Sequence, residues 1–145
     1  MANYYSTSRT NYFKVTDEAR FDELFKNLIS IEDDEVYDFT KTNDGVKLHA
    51  FGSYGSINYC IKPLQDEDDD YDLDFDSFLT ELQKILPDDE AFIYTECGYE
   101  KLRYIRAFSI VVTRTKIKTV DLCSDAVRLA RNMLKNKKFQ TEMTY

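Results

Sequence analysis

Residues 91–122 read AFIYTECGYEKLRYIRAFSIVVTRTKIKTVDL, and this stretch decides the class of fold. AFIYTE (91–96), LRYIRAFSIVVT (102–113) and IKTVDL (117–122) are rich in β-branched and aromatic residues, which suit a pleated, half-buried surface. Cys97-Gly98-Tyr99-Glu100 and Arg114-Thr115-Lys116 break the runs. Links this short join antiparallel neighbours, whereas parallel strands need a crossover of a dozen or more residues. The segment therefore predicts three successive antiparallel strands.

Working outward, residues 11–15 (NYFKV) form a short β-rich run, and Thr16 or Asp17 is placed to cap a helix. Asp17 and Glu18 would lie in its first turn, where the helix dipole favours them. Phe21, Leu24, Phe25 and Leu28 follow at i, i+3, i+4 and i+7, a single apolar stripe. Val36, Tyr37 and Phe39 suggest a strand, and Asn43-Asp44-Gly45 a turn. VKLHAF (46–51) alternates as a half-buried strand does, and Gly52-Ser53-Tyr54-Gly55 turns the chain into INYCI (57–61), which Pro63 stops. A second helix is expected over about 75–86, with Phe75, Phe78, Leu79, Leu82 and Leu86 on one face and Pro87 after it. Ser124 is placed to cap a third, in which Val127, Ala130, Met133 and Leu134 face inward. The expected order is β-α-β-β-α-β-β-β-α. It gives a single α+β domain over residues 1–145, with a mainly antiparallel sheet of five to six strands and three helices on one face. An acidic loop at about 65–74 and a polar tail at about 136–145 complete it.

The composition supports a packed domain: 145 residues, 43% hydrophobic, with 11 Tyr and 10 Phe against only four Gly and two Pro. Cys60, Cys97 and Cys123 are widely spaced, and His49 is the single histidine. A Cys/His zinc site is therefore not expected, and the thiols read as free. MANYYSTSRTNYF has no basic, apolar and cleavage-site regions of a secretory signal. No run nears the roughly 20 apolar residues of a membrane span, so a cytoplasmic protein is expected.

Charge is the most informative feature. Residues 1–100 hold 24 acidic and 8 basic residues, a net of −16, whereas residues 101–145 hold 11 basic and 3 acidic, a net of +8. The acid gathers in Glu32–Asp38 and Asp66–Asp76. Asp68, Asp70, Asp72, Asp74 and Asp76 recur at every second residue. In an extended chain they would share one side at about 6.6–6.8 Å spacing, within a factor of two of the roughly 3.4 Å between phosphates of one DNA strand. The row reads either as a solvated loop or as an imitation of DNA for a basic channel of another protein. A calcium loop with Asp70, Asp72, Asp74 and Glu81 at positions 1, 3, 5 and 12 is rejected, because Phe75 stands where the turn needs Gly. The candidate partner-binding residues are Asp66, Glu67, Asp68, Asp69, Asp70, Tyr71, Asp72, Asp74 and Asp76. Arg128, Arg131, Lys135 and Lys138 form a basic stripe that reads as an ordinary amphipathic surface. No nucleophile–base motif, phosphate loop or dinucleotide fingerprint is present, so no catalytic residue, cofactor or metal is assigned.

TSRTNYFKVTDEARFDELFKNL (7–28), DFDSFLTELQKILPDDEAF (74–92) and EKLRYIRAFSIVVT (100–113) resemble small acidic proteins of phages and conjugative elements of Gram-positive bacteria. The likeness is of general style and carries no residue roles. Acidic proteins of such elements include antirestriction proteins and anti-CRISPR inhibitors. The resemblance thus implies a non-enzymatic inhibitor that occupies a basic surface of a nucleic-acid-binding defence nuclease, without touching nucleic acid or membrane itself. The alternatives are an immunity or adaptor protein with an unrelated partner, and an enzyme acting on a small molecule or nucleotide through His49, Tyr or Arg side chains.

Overall fold

A computed structural model describes residues 4–33, 35–61 and 72–141. The elements in chain order are β1 (Tyr5–Thr10), α1 (Glu18–Lys26), β2 (Leu28–Ile31), β3 (Tyr37–Asp38), β4 (Lys41–Asn43), β5 (Val46–Leu48), β6 (Phe51–Ser53), β7 (Ser56–Tyr59), α2 (Phe75–Gln83), β8 (Phe92–Glu100), β9 (Tyr104–Val112), β10 (Ile117–Asp121) and α3 (Leu122–Leu134). Six strands form an antiparallel sheet in the order β10-β9-β8-β1-β6-β3, with two ribbons beside it, β2-β7 and β4-β5. The α+β class is as the sequence predicts. No helix among the described residues is long and apolar enough to cross a membrane.

Alternation along β8 sets the two faces of the sheet. Phe92, Tyr94, Glu96 and Gly98 face inward, while Thr95, Cys97 and Tyr99 face out. Phe92 meets Phe13 edge-on at 5.0 Å and packs with Phe51 and Phe78 at 6.0 and 6.1 Å. The cluster joins the sheet to α2, whose Phe78, Leu79 and Leu82 are fully buried. Arg20 of α1 and Lys84 both bind the Glu81 carboxylate, at 3.1 and 2.8 Å, and hold it below its ordinary pKa.

Above the apolar cluster the inner face turns polar. Glu96 is 5% exposed and accepts hydrogen bonds from the Tyr94 hydroxyl at 2.8 Å and the Tyr4 hydroxyl at 3.3 Å. The Tyr94 oxygen in turn accepts from the Ile57 amide. Ser8 donates to the Gly55 carbonyl, and Ser6 and Ser30 meet Ser56 and Ser53, so hydroxyls join the β2-β7 ribbon to the sheet. A buried carboxylate is tolerable only when its lone pairs are met, as they are here.

Several boundaries differ from the sequence reading. The first strand is Tyr5–Thr10 rather than 11–15: its inward residues are the small hydroxyl-bearing Ser6, Ser8 and Thr10, which leave no hydrophobic alternation to read. Within 11–15, Phe13 makes only an isolated bridge to His49. Leu28 closes the apolar stripe of α1 but belongs to a new strand, paired to Tyr59 of β7. VKLHAF is cut in two, and Cys97–Glu100 is strand rather than turn; the hairpin turns at 101–103, where Lys101 has φ 50°. Gly98 sits inside that strand because the Tyr4 ring lies where a Cβ would stand. Asp121, not Ser124, caps α3 by accepting from the Ser124 amide at 2.9 Å. Nothing in α3 is buried: Met133 is 76% and Leu134 58% exposed, against the expectation that they face inward. Leu122 and Asp125 line a hollow with Thr95, Ala107, Ser109 and Val120 on the outer face, so the helices are not all on one side.

Burial, reinforced by Glu96, raises the Tyr4 phenol from 10.0 to about 12, and pushes Tyr94 up as well. Their neutral forms are favoured by folding, so the contribution is complete below pH 10 and is lost as pH rises through 12. The urea midpoint should therefore fall over that window, and less steeply in Tyr4→Phe; an equally steep fall in the variant would contradict this assignment.

Candidate protein-binding surface

The sheet order separates the charge in space. The basic C-terminal third supplies β9, β10 and α3 at one edge, and the acidic segment 32–38 supplies β3 at the other. Five spacings of about 4.8 Å set the edges roughly 24 Å apart. That exceeds the ~8 Å screening length at physiological salt, so each edge presents its own field.

At the acidic edge β2 is followed by Glu32, whose φ of 81° turns the chain out of the ribbon. Asp33 accepts the Tyr54 amide at 3.3 Å, and Asp38 accepts the Thr40 amide at 2.8 Å. Tyr37 and Tyr54 meet edge-to-face at 5.8 Å, with Tyr54 72% exposed. A hollow of about 370 Å³ opens beside them between Tyr5, Ser6, Glu32 and Tyr54. The charge of Asp33, then desolvation and the charge of Glu35, pushes the Tyr37 hydroxyl above its ordinary pKa. Aromatic faces framed by carboxylates suit a guanidinium or ammonium group, which gains both cation–π and ionic contacts. Sequence reading noted the acidic cluster but missed this pairing, because Tyr37 and Tyr54 are seventeen positions apart and meet only through the fold.

Asp72 and Asp74, from the second acidic cluster, lie at the other end of the β2-β7 ribbon. Ile61 donates to the Asp72 carbonyl and Asp74 to the Tyr59 carbonyl, whereas Asp33 sits beside Tyr54. About five residues of strand, roughly 17 Å, separate these two from Asp33 along β7. Of the residues proposed from sequence, Asp66, Glu67, Asp68, Asp69, Asp70 and Tyr71 lie outside the described residues. Asp72 is exposed, and Asp74 is the N-cap of α2, accepting from the Asp76 amide and the Ser77 hydroxyl. Asp76 is in the first helical turn. The two-residue alternation therefore does not continue as an extended row beyond Asp74. Of the calcium-loop positions, Asp74 is committed to its cap and Glu81 to Arg20 and Lys84.

His49 is 2% exposed. Its Nε2 lies 2.7 Å from Glu18 and its Nδ1 3.4 Å from the Thr40 hydroxyl, an order that resembles a nucleophile, base and carboxylate. The ring is covered by Phe21 at 4.1 Å and Phe13 at 5.9 Å. It fastens α1 to the segment between β5 and β6. In the basic stripe, Arg128 pairs with Asp125 at 2.9 Å, and Arg131 donates to the Phe139 carbonyl at 2.8 Å, folding the tail onto α3. Cys60, Cys97 and Cys123 are free thiols. Comparison with family models, curated proteins and solved structures gives no match.

Asp74→Ala should cost about 1 kcal/mol of stability in urea unfolding, and Asp74→Asn only a few tenths, because Asn caps as well as Asp. Equal losses would mean that Asp74 acts by charge and not by capping. Asp33→Asn should move the Tyr37 ring titration, followed by NMR, back toward 10; an unmoved titration would leave the raised value without its assigned cause.

Proposed function

We propose that this chain is a non-enzymatic binding protein whose acidic edge grips a basic surface of a partner protein. Its action would be to inhibit a nucleic-acid-binding defence enzyme of the antirestriction or anti-CRISPR target kind. The observation that carries the reading is the contact between half-buried Tyr37 and exposed Tyr54 beside Glu32, Asp33 and Glu35. Aromatic anchors inside a charged rim are where binding energy concentrates, while the charges steer encounter and select the partner. The carboxylates of 66–76 add to the negative field of the same half of the chain. Arginine and lysine side chains that normally hold phosphates would meet these carboxylates instead.

Cleavage of DNA by purified restriction endonucleases and RNA-guided nucleases, with and without this protein, tests the reading. Inhibition of at least one enzyme is expected, weakening as salt rises. It should drop at least about tenfold in Glu32→Gln/Asp33→Asn/Glu35→Gln and in Tyr54→Ala, in line with hot-spot losses above 1.4 kcal/mol. An Asp68/70/72/74→Asn variant measures the share of the second cluster. Inhibition by none of the enzymes, or inhibition indifferent to both neutralised clusters at low salt, would refute the proposal.

A further inference from the structure

α3 presents apolar side chains in two directions. Cys123, Val127 and Ala130 are half-buried, while Leu122, Leu129 and Met133, at i, i+7 and i+11, are 63, 60 and 76% exposed. A thirteen-residue helix with no buried residue is marginal alone, since isolated helices of about this length barely hold in water. At its root the Cys123 thiol donates to the Ile105 carbonyl at 3.7 Å, which sets the helix beside a groove on the outer face of the sheet. The groove holds about 660 Å³, and Tyr5, Cys97, Tyr99, Leu102, Ile105 and Ala107 are among its walls. Tyr5, Tyr99 and Ile105 are each more than half exposed, and Leu102 is 82% exposed.

One side of the molecule thus combines an apolar ridge with an apolar groove. The seven large side chains leave on the order of 100 Å² each, close in sum to the ~800 Å² that one partner contributes to a standard interface. Asp125 pairs with Arg128 beside the ridge and Glu100 with Arg103 beside the groove, which Lys101 and Arg106 also line.

We propose that a second copy of this chain covers the surface. Leu122, Leu129 and Met133 of each molecule seat in the Tyr5–Tyr99–Ile105 groove of the other about a two-fold axis, the self-complementary arrangement of an isologous dimer. Tyr5 borders both this groove and the hollow beside Tyr54, so the seam of this dimer adjoins the acidic edge.

Light scattering after size exclusion should give twice the 17.1 kDa chain mass from micromolar to sub-millimolar concentration. Leu129→Glu/Met133→Glu should give the single-chain mass with an unchanged circular dichroism spectrum, because both side chains already face solvent. Leu129→Cys in a Cys123→Ser background should form a covalent dimer through Cys97 on oxidation, which Cys97→Ser removes. A wild-type monomer throughout the range, a dimer that survives the double Glu variant, or a crosslink that forms without Cys97 would overturn the proposal.

Discussion

The Phe92 ring, held between Phe13, Phe51 and Phe78, is the contact on which the rest of the structure depends. It stands on the strand that pairs with both β1 and β9, so whatever orients it orients the centre of the sheet. Phe51 brings in β6 and Phe78 brings in α2, while Phe13 continues the cluster to Phe21 of α1 at 5.6 Å. Aromatic rings meeting edge-to-face fill a core with few rotatable bonds. Two helices and the centre of the sheet are thereby packed on one side, which leaves the other side of the sheet and all of α3 outside the core.

That division places the interaction surfaces. With its inner face filled, the chain presents an acidic edge at β3 and an apolar ridge and groove near β9 and α3. Charge steering operates at a distance and weakens with salt, whereas apolar contact needs proximity and survives salt. In the proposed dimer, self-association would therefore withstand salt that weakens the proposed grip on a charged partner. The basic stripe of α3 belongs to neither surface: Arg128 is paired with Asp125, and Arg131 secures the tail.

What the sequence discloses depends on where each residue's partners lie. α1 and α2 were legible because their buried faces repeat within a dozen residues, and Phe21, Leu24, Phe78, Leu79 and Leu82 are buried as their spacing demands. The antiparallel β8–β9–β10 run was legible from composition. β1 was not, because Ser6, Ser8 and Thr10 face inward and satisfy their hydroxyls with β6, β7 and the loop between them, more than forty residues away. The expected turn at Cys97–Glu100 rested on Gly98, whose small size serves the Tyr4 ring instead of a bend. α3 misled for the opposite reason: its stripe is real, but Val127 and Ala130 are only half-buried and Met133 and Leu134 stay exposed. At the acidic edge the carboxylates were visible as a run, and the Tyr37–Tyr54 contact was not, since aromatic pairing across strands has no local signature.

Gly98 carries a consequence for how this chain tolerates change. Because Tyr4 occupies the space of the missing side chain, any larger residue at 98 displaces the ring and takes one of two phenolic donors from the buried Glu96. A change in the middle of a hairpin is thus felt at the N-terminus, ninety-four positions away. The two ends of that contact constrain each other, so diverged copies of this sequence should keep or lose Tyr4 and Gly98 jointly.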